Sequence, residues 1–283
     1  MRQSAAIVTP RTALAPAADA PAFTAGELAS AMGGRLVRAG TDPIRGAAVD
    51  SRRVVPGVAF FALAGERTDG HRYLADAVAA GARALVVREV PDDPAIAALP
   101  AGVSVIACDD PGDGLRAAAA AWRARWSPLV VSITGSIAKT STNEQVAEVL
   151  AERGRVVRSE GNENNEIGLP LTLLRCGPAD PTIVLEMGLY REGDIALLAA
   201  LARPSIGVVT AVRGVHLSRA GSLESIGRGK RELIEALPPG GTAVLNADDP
   251  IVGRWTPPAG VATFRYGFAA DADVGADDVE PLG

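Results

Sequence analysis

The sequence predicts two consecutive α/β domains, a small N-terminal one and a second built on a largely parallel sheet with helices on both faces. Three observations predict this. The chain has 283 residues, enough for about two domains at roughly 150 residues each. After Pro128, short β-branched runs alternate with helical stretches, the pattern of parallel strands buried on both faces. The balance of 48% apolar and 22% charged residues is that of a packed globular chain rather than a disordered one.

Taken in order, residues 1–22 are broken by Pro10 and Pro16 and contain no continuous apolar stretch, so they read as a flexible Ala/Pro tail and not a signal peptide. Order begins at Phe23. Thr24 and Glu27 have the spacing of a capping box, opening a helix that Gly33-Gly34 should stop. A compact segment over 49–65 and a loop over 66–71 lead into a helical pattern from Tyr73 to Ala80. Buried strands at 84–87 and 103–108 and an Ala-rich helix at 114–125 close a first domain over 23–126. In the second domain, 127–283, strands are expected at 129–135, 155–159, 182–187, 206–212 and 242–248. Helices are expected between them at 139–152, 168–175, 192–202 and 222–236. From Ala262 onward the periodicity is lost and no closing helix follows, so this domain reads as incomplete.

Composition excludes several classes. A net charge of −5 and a pI near 5.2 give no electrostatic case for nucleic acid. No apolar run reaches the roughly 18–20 residues that span a bilayer, so no membrane insertion is expected. Cys108 and Cys176 stand far apart, with neither metal-ligand spacing nor a disulfide framework, which points to a reducing cytoplasm. One further count is informative: 28 residues are Lys or Arg, yet only Lys139 and Lys230 are lysines. Arginine and lysine are interchangeable on a solvated face but not where a compact ammonium or a nucleophilic amine is needed. Codon bias is the bland alternative.

One lysine falls in the sharpest motif, ITGSIAKTSTNE (133–144), where a strand enters a small-residue loop and then a helix. Backbone N–H groups at a helix N-terminus cradle phosphates, the Lys neutralises their oxygens, and the following hydroxyl can hold Mg²⁺. The full Walker A spacing is not met, because Ile133 and Ala138 occupy its glycine positions. The strand before and the helix after nevertheless favour a P-loop-type phosphate site over an ordinary turn, with Gly135, Ser136, Ile137, Ala138, Lys139, Thr140 and Ser141 as its residues.

Ligands of such folds bind beyond the carboxyl ends of the strands. Glu186 ends one strand, His216 follows another, and Lys230 lies in the helix that comes next. Glu and His there are plausible neighbours of Mg²⁺. Singly, each would be read as a surface Glu, a core His or a solvated Lys; jointly they lie on the face where a nucleotide would sit. GNENNEIGLP (161–170) brings Asn162, Asn164 and Asn165 to a turn that serves equally as local structure or as a binding loop. In the first domain, Asp50-Ser51-Arg52 and Asp69-Gly70-His71 are polar islands beside apolar strands, loops with possible anion contacts.

These stretches together resemble the Mur ligases of cell-wall synthesis. The matching segments are DSRRVVPGVAFFALAGERTDGHRYL, ITGSIAKTST, GNENNEIGLPLTLL, LEMGLYREGDIALL, VHLSRAGSLESIGRGKRELI and AVLNADDP, which run in order over roughly 23–283. The GNxNNEIG and EMG…GDI stretches favour the member that adds a dipeptide over its sister that adds the third peptide residue. The resemblance implies an ATP-dependent ligation of D-Ala-D-Ala to UDP-N-acetylmuramoyl-tripeptide through an acyl phosphate, by a cytoplasmic monomer. It implies that Ser51, Arg52, Asp69, Gly70 and His71 hold the UDP end of that substrate, with Asn162, Asn164 and Asn165 as further substrate contacts. It also implies ATP on residues 135–141, with Lys139 on the phosphates, Thr140 on Mg²⁺, and further Mg²⁺ binding at Glu186, His216 and a CO₂-derived carbamate on Lys230. An ammonium repels Mg²⁺ whereas a carbamate offers it anionic oxygens, and Arg cannot substitute because it stays protonated.

The departures from the family pattern are Ala138 in place of the glycine before Lys, Ala211 in place of an Asn, and Ser218 in place of a Glu. The Cβ of Ala138 is expected to crowd a backbone that must approach phosphate. The chain also stops before the His-Asn segment of the adenine pocket and before the C-terminal domain. It is therefore expected to be a truncated ligase, with a decayed, non-catalytic nucleotide or UDP-sugar-peptide binding paralogue as the alternative. A third reading is another ligase of the superfamily with a different amino-acid substrate.

Overall fold

The computed structural model describes residues 22–65, 68–214 and 222–275. It divides into two compact units. The first runs to Ser127 and takes in Pro170–Asp180; the second comprises Pro128–Leu169 and the chain from Pro181.

In the first unit the predicted capping box is present. Thr24 accepts from Glu27 N at 3.2 Å and the Glu27 carboxylate accepts from Thr24 N at 2.8 Å, opening α1 (Ala25–Ala31). The sheet contains β1 (Arg35–Arg38), β2 (Ala47–Ala48), β3 (Ala59–Phe61), β4 (Ala84–Val87) and β5 (Ser104–Ala107), in the order β1-β5-β4-β3-β2. All pairings are parallel except β1 with β5. Phe60, Leu85, Val87, Val103 and Val105 form the core under α2 (Leu74–Ala79), each contributing roughly 1.5–3 kcal/mol by leaving water. A short helix, α3 (Asp93–Ala97), precedes β5. The Ala-rich helix α4 (Pro111–Arg123) starts earlier than the expected position 114. Asp110 accepts from Gly112 N and Asp113 N, and Pro111, lacking an N–H, suits the first turn.

The second unit carries six parallel strands in the order β11-β10-β9-β6-β8-β7. They are β6 (Leu129–Thr134), β7 (Val156–Arg158), β8 (Thr182–Glu186), β9 (Ile206–Val209), β10 (Thr242–Asn246) and β11 (Ala262–Tyr266). The expected parallel sheet with helices on both faces is therefore present. Val208 packs with Val131, Ile133 and Val184 against α5 (Lys139–Ala151), while its neighbour Val209 packs with Ile226, Ile234 and Leu245 on the side of α8 (Leu223–Glu235). Strand β11 corrects the reading of the last stretch as aperiodic. Its residues pair in parallel with β10, Thr242 opposite Ala262 through Asn246 opposite Tyr266. Being an edge strand with its first three residues exposed, it lacks the apolar run that marked the others.

Register sets the site. Ile133 of β6 lies opposite Glu186 of β8, and Thr134 opposite Val209 of β9. The loop after β6, the carboxylate ending β8 and the segment leaving β9 thus emerge at one edge of the sheet.

Candidate functional site

The loop begins at Gly135, where a Cβ would collide with the Thr210 hydroxyl, so only glycine lets the two strand ends approach this closely. Thr210 Oγ1 donates to Ile137 O at 2.7 Å, and Ser136 N donates to Ala211 O at 2.8 Å. Ser136 Oγ accepts from Arg213 N at 2.9 Å and donates to Arg213 O at 3.0 Å. Ala138 takes up the left-handed conformation, φ 61° and ψ 11°, that a glycine would adopt without cost, and α5 follows from Lys139. The first N–H groups of α5 have no intrahelical acceptor and face outward from the strand end with the positive end of the helix dipole. The Lys139 side chain has no hydrogen bond or ion pair among the described residues.

Glu186, far from being a surface carboxylate, is only 4% exposed. One carboxylate oxygen accepts from Thr140 Oγ1 and the other from Asn164 Nδ2, each at 2.8 Å. Its backbone N–H donates to Ser159 Oγ at 3.0 Å. The Asn-rich turn divides its labour. Asn164 braces Glu186 and accepts from Gly188 N at 2.7 Å, whereas Asn165 Oδ1 accepts from Ile167 N and Gly168 N at the start of α6 (Gly168–Arg175). Asn162 is exposed, its carbonyl accepting from Asn164 N.

Lys230, also 4% exposed, lies in the middle of α8. Burial pushes its ammonium down to about 7, and the like charge of Lys139 presses the same way, so the two lysines are within electrostatic reach of each other. Among the described residues Lys230 has no carboxylate partner. Its helix is fastened to the loop that follows Glu186. A Cβ on Gly229 would lie 2.7 Å from Leu189 Cδ1, the Glu192 carboxylate accepts from Arg228 and Ser225, and Glu232 accepts from Gly193 N and Ala196 N. The hydrogen bonds from Arg228 and then Ser225 hold Glu192 down at about 2.

His216 and Ser218 lie outside the described residues. Ala211 is buried, and its carbonyl accepts from Ser136 N. Among the described residues no three His, Cys, Asp or Glu side chains converge as a metal cage. The Thr140 hydroxyl and the Glu186 carboxylate, already in contact, are instead the sparse hard-oxygen donor set that suits Mg²⁺, an ion that keeps waters and phosphate oxygens as its other ligands.

In the first unit the polar islands follow β2 and β3. Asp50 accepts from Arg52 N and pairs with the exposed Arg52 guanidinium at 2.6 Å, and this side-chain bond is the main cause holding Asp50 below the usual carboxylate range. Ser51 opens the short 3₁₀ turn beside it. Asp69 accepts from His71 N at 2.9 Å and from His71 Nδ1 at 2.7 Å, while His71 Nε2 accepts from Arg88 N at 3.1 Å and Glu89 N at 3.3 Å. Those partners select the Nδ1–H tautomer and engage both ring nitrogens. Gly70 packs so tightly that a Cβ would lie 2.8 Å from Ala62 Cα.

Sequence reasoning missed Ser159, Thr210, Asn246 and Asp249. Their signal was position: each stands at or just beyond the end of a parallel strand. Asn246 Nδ2 donates to Thr210 O at 2.8 Å, tying the exit of β10 to that of β9.

A model of the Mur ligase middle domain matches residues 133–281, and one of the Mur ligase family catalytic domain matches residues 43–160. The UDP-N-acetylmuramoyl-tripeptide–D-alanyl-D-alanine ligase of Mycobacterium tuberculosis is 40% identical over 244 residues, 81% of this chain and 48% of that one. The protein of that name from Escherichia coli is 37% identical over 201 residues, 71% and 42% respectively. The chain spans about half the length of the curated relatives it matches. Among solved structures, MurF from Acinetobacter baumannii superposes with a TM-score of 0.80 at 26% identity, covering 93% of this chain and 57% of the other. MurF ligase from Thermotoga maritima in complex with ADP gives 0.67 at 31% identity, over 79% and 50%.

Proposed function

The chain belongs to the Mur ligase family, and from that premise we propose that it acts in an ATP-dependent amide ligase of peptidoglycan precursor synthesis. The ligase joins D-Ala-D-Ala to UDP-N-acetylmuramoyl-tripeptide through an acyl phosphate. The observation that carries this reading is the meeting, at one sheet edge, of a glycine-led loop ending in Lys139, the bonded pair Thr140–Glu186, and the buried Lys230 in electrostatic reach of Lys139. The relative that holds ADP supports the choice of nucleotide.

Within Gly135 to Ser141, backbone N–H groups beyond Ser136, whose own N–H is held by Ala211 O, cradle the ATP phosphates, and Lys139 neutralises their oxygens. Thr140 and Glu186, joined by His216 and by Lys230 as its carbamate, would hold Mg²⁺, whose charge offsets the negative oxygens gathered in phosphoryl transfer. Burial favours the neutral amine of Lys230. That amine can attack CO₂, forming an N–C bond and losing one proton to solvent, to give the anionic carbamate. Asn164 holds the Glu186 carboxylate in place, with Asn162 exposed beside it toward substrate. In the first unit Ser51, Arg52, Asp69 and Gly70 take the UDP end, and His71 acts by shaping the Asp69 loop. A cytoplasmic monomer is the working state; no helix of the described residues is long and apolar enough to cross a membrane.

Calorimetric titration of the chain with ATP and Mg²⁺, and separately with UDP-N-acetylmuramoyl-tripeptide, tests the reading. Both should bind, and Lys139→Ala should weaken only the first. A wild-type chain that takes up neither Mg-ATP nor Mg-ADP overturns it.

A further inference from the structure

Asp249 lies just beyond the end of β10 and plays no part in the chemistry above, yet it is 1% exposed. A carboxylate buried that deeply is costly unless every lone pair is met. Here each is. Oδ1 accepts from Ile251 N at 3.0 Å and Val252 N at 2.9 Å, fixing the turn after β10. Oδ2 accepts from Val212 N at 3.1 Å and from Arg213 Nη1. The second oxygen therefore reaches across to the segment leaving β9.

That segment grips the phosphate loop. Arg213 holds Ser136 Oγ in both directions, accepting through its carbonyl and donating through its N–H, and Ala211 O takes Ser136 N. A continuous path of short bonds thus runs from Asp249 through residues 212–213 to Ser136, crossing three adjacent strand ends. A phosphate cradle works only if its N–H groups are already aimed before the ligand arrives, because ordering them on binding would cost affinity. The Ser136 side chain is fully engaged with Arg213, so within this path its role is to place the backbone rather than to meet the ligand.

We infer that Asp249 is a positioning residue for nucleotide binding, aiming the phosphate loop through Arg213 and Ser136. The inference rests on the reading of residues 135–141 as the phosphate loop. Each link has a direct consequence. Asp249→Asn keeps the shape but turns an N–H₂ toward donors, and Ser136→Ala removes both bonds to Arg213 without touching the core. Either change loosens the cradle and leaves the sheet standing.

The test is titration of the whole chain with Mg-ADP and, as a control lacking the β-phosphate, with AMP, alongside thermal unfolding. Ser136→Ala and Asp249→Asn should each weaken ADP about tenfold or more while AMP changes less than about threefold, and the double variant should be no weaker than the worse single one, since both cut one path. Equal losses on ADP and AMP, additive losses, or unchanged ADP affinity in Ser136→Ala would each overturn the inference. Should Asp249→Asn fail to fold, Arg213→Ala replaces it in the cycle, with the same non-additivity expected. A wild-type chain that does not bind ADP at all instead defeats the proposed function, so the two failures are distinguishable.

Discussion

The loop at Asp69–His71 and the loop at Gly135–Lys139 both follow parallel strands and both carry a basic residue, but they use it in opposite ways. In the first, the histidine is closed off: Nδ1 is held by Asp69 and Nε2 by two backbone N–H groups. In the second, the backbone is tied down by Thr210, Ala211 and Arg213 while Lys139 is left without a partner among the described residues. A satisfied polar group is scaffolding, and a rigidly mounted but unsatisfied one awaits a ligand. Lys230 belongs with Lys139, since it lies in the interior with no carboxylate among the described residues to meet its charge.

The sharpest break in the comparison is expected from the lysines. In a ligation assay in a restored full-length context, Lys139→Ala and Lys230→Arg should each lower turnover by roughly two to three orders of magnitude, as for loss of a group that stabilises developing charge. They should differ in repair. Short carboxylic acids should restore part of the activity of Lys230→Ala, by supplying the oxygens that its carbamate would, and none of the activity of Lys139→Ala. Wild-type turnover by Lys230→Arg would falsify the carbamate role, because a guanidinium cannot form one. In direct titration Lys139→Ala should weaken Mg-ADP by roughly ten- to hundredfold, the worth of a charged hydrogen bond.

The pH dependence of stability separates the two lysines next. Lys230 is lowered to about 7 in the fold against an ordinary 10.5, first by burial and then by Lys139. Between those values the unfolded chain binds the extra proton, so folding becomes more favourable as pH rises from about 7 toward 10.5. Below about 7 the full cost of burying the charge is present, on the order of a few kcal/mol. Denaturant unfolding without CO₂ or nucleotide should show Lys230→Met more stable than wild type at pH 6, with the gap narrowing toward pH 10. A constant gap would place the effect in packing instead of charge.

His71→Ala should lower the unfolding midpoint of the first unit, because two backbone N–H groups and Asp69 lose their partner together. Hydrogen exchange at Arg88 and Glu89 should rise while Mg-ADP affinity holds. Unchanged exchange with lost UDP-substrate binding would move His71 to the ligand side of the comparison.

How much of this was legible in the sequence follows from where each signal resides. Strands β6 to β10 announced themselves because burial on both faces demands unbroken apolar runs, and α1 because its capping box is a local, four-residue device. Strands β1 and β11 did not, since edge strands with exposed residues need no such run. The N-terminus of α4 was hidden by Pro111-Gly112, which read as breakers although proline suits a first turn. Lys139, Thr140, Glu186 and Lys230 were singled out because the proposed phosphate and Mg²⁺ chemistry restricts residue type, and the structure brings Thr140 to Glu186 and Lys139 within electrostatic reach of Lys230. Asp249, Thr210 and Ser159 were not: their importance lies in pairings between strand ends that are distant in sequence, such as Asp249 with Val212.

The smallest expected effect concerns Ala138, and it bears on whether the loop's departure from the family's glycine matters. The structure keeps the left-handed conformation there, φ 61°, with Ala138 exposed, so the substitution has left the geometry in place and added strain. That strain is about 1–2 kcal/mol for an L-residue, partly offset because alanine restricts the unfolded chain by about 0.4–1 kcal/mol relative to glycine. Ala138→Gly should therefore stabilise the chain by roughly 0–1.6 kcal/mol, read from the denaturation midpoint at constant slope. Because the N–H groups already point where glycine would put them, Mg-ADP affinity should change less than about threefold. A gain of tenfold or more would mean that the Cβ itself meets the phosphates, making this position, like the lysines, part of the ligand's surroundings and not of the scaffold.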